Sequence, residues 1–408
     1  MIIRLKELRV IPALMALVFA MYNSLDFNSL DMQMASYCSL GVMLLTACAS
    51  VLFVAHNRGV SRYAFSLIVL LSWIAVVTML NGQSLKDWLY SCISIAALLF
   101  LFDYYRNDIR PILIGALIGF SLSIYAAMWQ LITNPYLWVQ VNDDSNVVSG
   151  FLLGGNYNQM GTRLLCGVLL NILCLKCSRW FWVPLIPLIL TCIALLLMVQ
   201  SMTSLVSLLL LLVFCCLPGF KFPRLCITGL ISAVVLFQVL VCFNGKGIEN
   251  NETATWFIVD VLGKDITFTN RTTLWDSAMR LFASSPLMGY GFPTSDWYYS
   301  NLASTAVGPH NLILGLMIYG GIPAVGIFVG IVAYSLITLL RNKDRYATAL
   351  YAMVGVFLLM SLMEVYSITL ISFIIVLTYY YGQSSNSLLN PNEQQYKSYS
   401  QHVSAECS

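Results

Sequence analysis

The sequence predicts an all-α, polytopic integral membrane protein with about twelve membrane-spanning helices, and three observations carry that expectation. Of its 408 residues, 59% are hydrophobic and only 10% charged, against roughly 25% charged in a soluble domain. Apolar runs long enough to cross a hydrocarbon core of about 30 Å recur along the whole chain. Lysine and arginine collect in alternate breaks between those runs, as the positive-inside rule requires of a chain that weaves through a bilayer.

Taken in order, the first run follows Met1-Ile2-Ile3-Arg4-Leu5-Lys6, a charged start like that of a signal peptide. No small-residue cleavage site follows Val10 to Ala20, so it reads as an uncleaved first span. Apolar periodicity places the spans near 10–24, 34–55, 63–80, 88–104, 111–133, 159–175, 181–199, 204–217, 226–243, 311–340, 346–363 and 366–382. The tenth exceeds what a bilayer needs, and Gly320-Gly321-Ile322-Pro323 interrupts it, which predicts a kinked or strongly tilted helix. Residues 1–382 form one membrane domain, and the Ser-, Asn- and Gln-rich segment 383–408 reads as a disordered tail.

An even number of spans puts both termini on one side. Of the 21 lysines and arginines, 15 fall there, which makes that side cytoplasmic. The remaining six are Lys86, Arg163, Lys246, Lys264, Arg271 and Arg280. Two long loops then face outward, 134–158 and 244–310, and the second holds four of the six. The net charge of +3 is too small and too dispersed for a nucleic-acid surface, so no nucleic-acid partner is expected.

The twelve cysteines lie almost wholly in apolar segments, and none lies between Asn244 and His310, so no disulfide framework is implied. Cys174-Leu175-Lys176-Cys177 has CxxC spacing without a second pair or a nearby histidine, and reads as two inert thiols. Asp143-Asp144 lacks a third ligand and reads as solvated loop acids. Glu364 ends a span and reads as an interface residue. No metal or cofactor is expected.

Polarity gathers in the long loop. Thr273-Leu274-Trp275-Asp276 has capping-box form, and Leu274, Ala278, Leu281 and Phe282 recur at helical spacing until Ser284-Ser285-Pro286, which predicts a short amphipathic helix at the membrane surface. Asp276 and Arg280 stand four apart, as an ion pair would. Arg271 stands just ahead of the helix, where the macrodipole favours an anion; a solvated arginine and a phosphate ligand both fit. The glycines of Pro286-Leu287-Met288-Gly289-Tyr290-Gly291 permit tight turns and close approach of backbone to a ligand. Trp256, Trp275, Trp297, Tyr298 and Tyr299 suit either an interfacial belt or sugar faces. His310 is the only outward histidine; Gly308 and Pro309 look like the cap and first turn of the next helix, whose N-terminus favours a neutral imidazole able to act as a base.

The run Arg271-Thr272-Thr273-Leu274-Trp275, then Ser285 to Gly291, then Pro309-His310-Asn311 followed by Gly320-Gly321-Ile322, resembles in order and spacing the signature region of the O-antigen ligase and polymerase family. The resemblance implies a metal-independent glycosyltransferase of the bacterial inner membrane. Such enzymes take a glycan from an undecaprenyl-diphosphate carrier on the periplasmic face and join it to an acceptor hydroxyl. On that reading Arg271 holds phosphate, His310 orients or deprotonates the acceptor, and Arg163, Arg280, Asn156, Asn158, Tyr290 and Asn311 help bind substrate. Gly154-Gly155-Asn156-Tyr157-Asn158 resembles the family's glycine and asparagine segment before a span, and Arg163 follows one turn inside, where an arginine must face a polar cavity or snorkel.

One departure bears on the choice within the family. Ligase-like members carry an arginine in the segment corresponding to Gln200-Ser201-Met202-Thr203, and Met202 stands here instead, which favours a Wzy-like polymerase over a WaaL-like ligase that transfers glycan to lipid A core. The implied partners are the lipid-linked glycan, membrane lipids, a chain-length regulator and other polysaccharide assembly proteins. A flippase or other transporter also needs about twelve spans, but would bury ionisable residues near the midplane, and here the spans are nearly free of charge.

Overall fold

The computed structural model describes residues 10–25, 32–57, 60–134, 153, 157–250, 256, 271–303, 308–364 and 366–384. Among them no strand occurs. Each apolar run forms a helix: α1 (Val10–Ser24), α2 (Met32–Asn57), α3 (Arg62–Leu80), α4 (Lys86–Tyr104), α5 (Arg110–Thr133) and α6 (Tyr157–Cys174). After a 3-10 turn at Arg179–Phe181 come α7 (Trp182–Met198), α8 (Met202–Cys216) and α9 (Lys221–Phe237), the last prolonged by a π turn, Gln238–Cys242. The loop region carries α10 (Arg271–Ser284) and α11 (Ser295–Asn301), and the chain continues through α12 (Leu312–Leu340), α13 (Arg345–Met360) and α14 (Ile368–Ser384).

By length and composition α3, α4, α5, α7 with its lead-in, α9 with its π turn, and α12 can cross a membrane. Six shorter apolar stretches of 10–17 residues lie in α1, α2, α6, α8, α13 and α14. Leu45, Leu52, Leu190 and Leu225 point outward, an apolar exterior that water would not tolerate and lipid would. The all-helical expectation therefore holds, and six of the described helices are by themselves long and apolar enough to span a membrane.

Lipid gives no hydrophobic drive between helices, so they associate through close packing of small residues. In α5, Gly115 and Gly119 stand four apart against α1, and a Cβ on them would meet the Ala13 carbonyl at 1.9 Å and the Leu17 carbonyl at 2.6 Å. At one end of the bundle, Lys176 pairs with Asp344 at 2.9 Å, and Arg224 donates to the carbonyls of Leu340 and Asn342. Lys176 and Arg224 are both among the basic residues that the sequence puts on one side.

The expected kink in α12 is a true break: Gly320 (φ −156°, ψ 21°) and Gly321 (φ 64°, ψ −158°) leave helical geometry. The turn after α10 fills it. Tyr290 N–H donates to the Ile318 carbonyl at 2.6 Å, Ile322 N–H donates to the Pro286 carbonyl at 2.9 Å, and Trp73 Nε1 donates to the Gly320 carbonyl at 2.8 Å. Backbone groups orphaned by the break thus find partners, as they must inside a membrane. The close approach expected of Gly289 and Gly291 is real, but it is to other backbone: Cβ atoms there would stand 2.5 Å from the Ile318 carbonyl oxygen and 2.4 Å from Thr78 Cα.

Candidate active site

A helix that ends leaves its last carbonyls unpaired and its C-terminal end partly negative. In α13 this happens at Met360, three residues before the sequence suggests, and residues 361–364 run on as an irregular strap. Each member is held in turn. Leu312 N–H donates to the Ser361 carbonyl at 3.0 Å, and Asn311 Nδ2 to the Leu362 carbonyl at 3.2 Å. Arg271 Nε donates to the Met363 carbonyl at 3.0 Å, and His310 Nδ1 lies 2.8 Å from Glu364 Oε1. Two motifs far apart in sequence, at Arg271 and at His310-Asn311, meet on four consecutive residues.

The head of α12 is capped by Asn311, whose Oδ1 accepts from Leu314 N–H at 3.0 Å. The helix therefore begins after His310, and Gly308-Pro309 precede the cap instead of forming it. His310 adopts φ 45°, a left-handed conformation rare outside glycine. Such strain, roughly 1–3 kcal/mol, persists only where the surroundings enforce it, and it concentrates at working sites. Here the enforcement comes from Asn311 on one side and Glu364 on the other.

An ionised carboxylate only accepts hydrogen bonds, so opposite an ionised Glu364 a neutral ring carries its proton on Nδ1 and keeps Nε2 as the basic nitrogen. The Glu364 side chain is 3% exposed and that of His310 22%, so the carboxylate is sealed while the ring reaches outward. Tyr366 is buried beside them. Burial pushes its hydroxyl well above the ordinary range, the Glu364 charge pushes the same way, and Arg271 opposes both. It is a neutral hydrogen-bonding group at ordinary pH.

Asn311 is fully buried and its Nδ2 also donates to Gln238 Oε1 at 2.8 Å. Its amide is thus engaged by protein on both the donor and the acceptor side, next to His310. Gln238 opens the π turn of α9; π turns rotate side chains out of helical register and concentrate at functional sites. Neither Glu364 nor Gln238 was picked out from the sequence as a site residue. A lone carboxylate at the end of an apolar run, and a lone amide within one, were the available signals.

Arg271 is the first residue of α10 and not a residue ahead of it, so the apparent capping box at Thr273 lies inside the first turn. The helix buries Thr272, Trp275 and Ala278 against α12 and the turn at Gly245–Asn250, a face rotated from the one expected. Arg280 forms the expected pair with Asp276 at 2.7 Å and is 70% exposed. Tyr290 closes the turn after α10 through its hydroxyl, which donates to the Leu281 carbonyl at 3.1 Å. Of the aromatics, Trp275 and Tyr298 are core residues, whereas Trp256 and Tyr299 are exposed.

Arg163 lies in α6 and binds the carbonyls of Asn23, at 3.3 Å, and Leu153. Asn156, the loop acids Asp143-Asp144 and most of 134–158 lie outside the described residues, as do 257–270 and the tail from 385; Asn158 is in α6 without a described side chain. Beneath the strap an apolar groove of about 410 Å³ opens between α8, α9 and the end of α13. Met202 and Thr203 line one wall and Met363 the other.

The segment 187–329 holds Arg271, the turn in the helix break, His310 and the break itself. It matches the family described as O-antigen ligase. The motif resemblance to the O-antigen ligase and polymerase family is thereby borne out, on a segment that ends before Glu364 and begins after Arg163. Both the helical architecture and the match fit a multi-pass membrane protein of a glycosyltransferase-like class. No curated protein matches the sequence significantly.

Proposed function

We propose that this chain is a polysaccharide polymerase, which moves a growing glycan from one undecaprenyl diphosphate onto the terminal hydroxyl of another lipid-linked repeat unit. The observation that carries it is the buried Glu364 behind His310, 2.8 Å from Nδ1, with Arg271 bound to the same strap. His310 Nε2 takes the proton of the acceptor hydroxyl as its oxygen attacks the anomeric carbon from the face opposite the diphosphate. The bond to the diphosphate breaks, its electron pair leaves with the phosphate, and the configuration inverts. Arg271, a guanidinium with five N–H donors, meets the charge that builds on the leaving group. The apolar groove beneath Met363 suits the carrier's hydrocarbon tail.

In this reading the six shorter apolar helices also cross the inner membrane, the termini are cytoplasmic, and the loop of α10 and α11 is periplasmic. No metal takes part. Arg163, with Asn156 and Asn158 before it, approaches the acceptor from the other loop, and chain-length regulators and other assembly proteins are the expected partners. Ligation to lipid A core is the second reading, favoured by the description of the matched family; the methionine at position 202 favours the polymerase.

Replacing His310 or Arg271 singly with alanine tests this on a surface-polysaccharide gel. A polymerase loses the long ladder and keeps one attached repeat unit; a ligase loses all attached repeats. An unchanged ladder would sink both site assignments. Arg280→Ala removes an exposed i,i+4 pair worth about 0.3–0.5 kcal/mol, and wild-type ladder and stability are expected. Shortened chains in that variant would make Arg280 a substrate ligand.

A further inference from the structure

We propose that the turn Pro286–Gly291 is a re-entrant element embedded in the hydrocarbon of the bilayer, with Leu287 and Met288 in contact with lipid chains. The proposal rests on α3 and α12 crossing the membrane, and on nothing about catalysis.

Two helices measure the depth of the turn. Along α12, eight residues separate Leu312 from Gly320, where the turn docks, or about 12 Å at the helical rise. Along α3, the Trp73 indole that binds the Gly320 carbonyl lies seven residues before Leu80, about 10 Å from that helix end. With its 19 residues α3 is about 28 Å long, the thickness of the hydrocarbon core, so Leu80 stands near its boundary. Both rulers put the docking level about 10 Å inside it.

The turn is built for that depth. Irregular backbone survives in hydrocarbon only where its polar groups are satisfied by protein. Here Pro286 and Tyr290 exchange hydrogen bonds with the broken α12, Gly289 N–H donates to the Ser285 carbonyl at 2.9 Å, and Ser285 Oγ donates to the Gly289 carbonyl at 3.2 Å. Phe292 anchors the exit, its N–H donating to Thr78 Oγ1 at 2.9 Å and its ring 5.1 Å from Trp88. The side chains left facing out are apolar: Leu287 is 65% exposed, Met288 37%, and the neighbouring Ile322 of α12 54%. An outward apolar tip at this depth meets acyl or isoprenoid chains.

The test uses the full chain in vesicles of radiolabelled phospholipid, with a diazirine amino acid at position 287 or, as control, at the exposed Ser300 of α11. Irradiation is expected to give a lipid adduct at 287 at least fivefold above that at 300. Equal labelling at the two positions, or a protein–protein adduct at 287, overturns the proposal. In parallel, Leu287→Cys is expected to react with a membrane-impermeant maleimide at least tenfold more slowly than Ser300→Cys, each scored as one tag above the native cysteines. Equal rates place the turn in water and overturn it too. None of these readouts requires turnover, so they fail or succeed independently of the polymerase reading.

Discussion

Glu364→Gln is expected to lower glycan transfer by about 100- to 10,000-fold while the protein remains folded in the membrane. Glutamine keeps the shape of the side chain but turns a charged acceptor into a neutral amide. Its NH2 can face Nδ1 only if that nitrogen gives up its proton, which moves the proton to Nε2 and removes the base. The imidazolium formed during transfer also loses its counter-ion. Measured with lipid-linked donor in vesicles, turnover should collapse with donor affinity preserved, because Arg271 stays on the Met363 carbonyl. Turnover within about threefold of wild type would mean that His310 does not work through Glu364. The thermal midpoint in detergent separates this from simple unfolding.

The largest effect on stability is expected from Gly321→Ala. With φ 64° and ψ −158°, Gly321 occupies a region essentially closed to other residues. A Cβ there would stand 2.5 Å from the Pro286 carbonyl oxygen and 2.6 Å from that of Leu287. Strain and collision together should cost roughly 3 kcal/mol or more, and expel the turn from the break. Gly326→Ala is the control: it lies in the same helix with nothing within 4 Å of the added carbon, and should be neutral or mildly stabilising. A similar thermal midpoint for the two variants would show that the turn is not locked into α12.

What could be read from the sequence was local or periodic. Apolar runs marked each helix, Gly320-Gly321 marked the break, and Asp276 with Arg280 marked an ion pair, because each signal lies within a few residues. The partner of His310 lies 54 residues away and the carbonyl that holds Arg271 lies 92 away. No pattern along the chain joins them, since only the end of α13, left irregular by its docking on α12, brings them together. The start of α10 was misplaced for a related reason: Thr273 and Asp276 have capping chemistry, but burial of Thr272 and Trp275 decides where the helix lies. The capping of the following helix by Asn311 was likewise not legible, because tertiary contacts fix where that helix begins.

The strap at 361–364 also sets a timetable. A ribosome delivers Gln238, Arg271 and His310 before it reaches Glu364, so the earlier pieces enter the bilayer while the carboxylate and the carbonyls of the strap are still unmade. The contacts of the strap with Arg271 and His310 therefore form only after the segments that carry those two residues have been made. A half-made chain carries a histidine without its orienting carboxylate and an arginine without its anchor. On the proposed polymerase reading, such a chain neither consumes lipid carrier nor releases glycan.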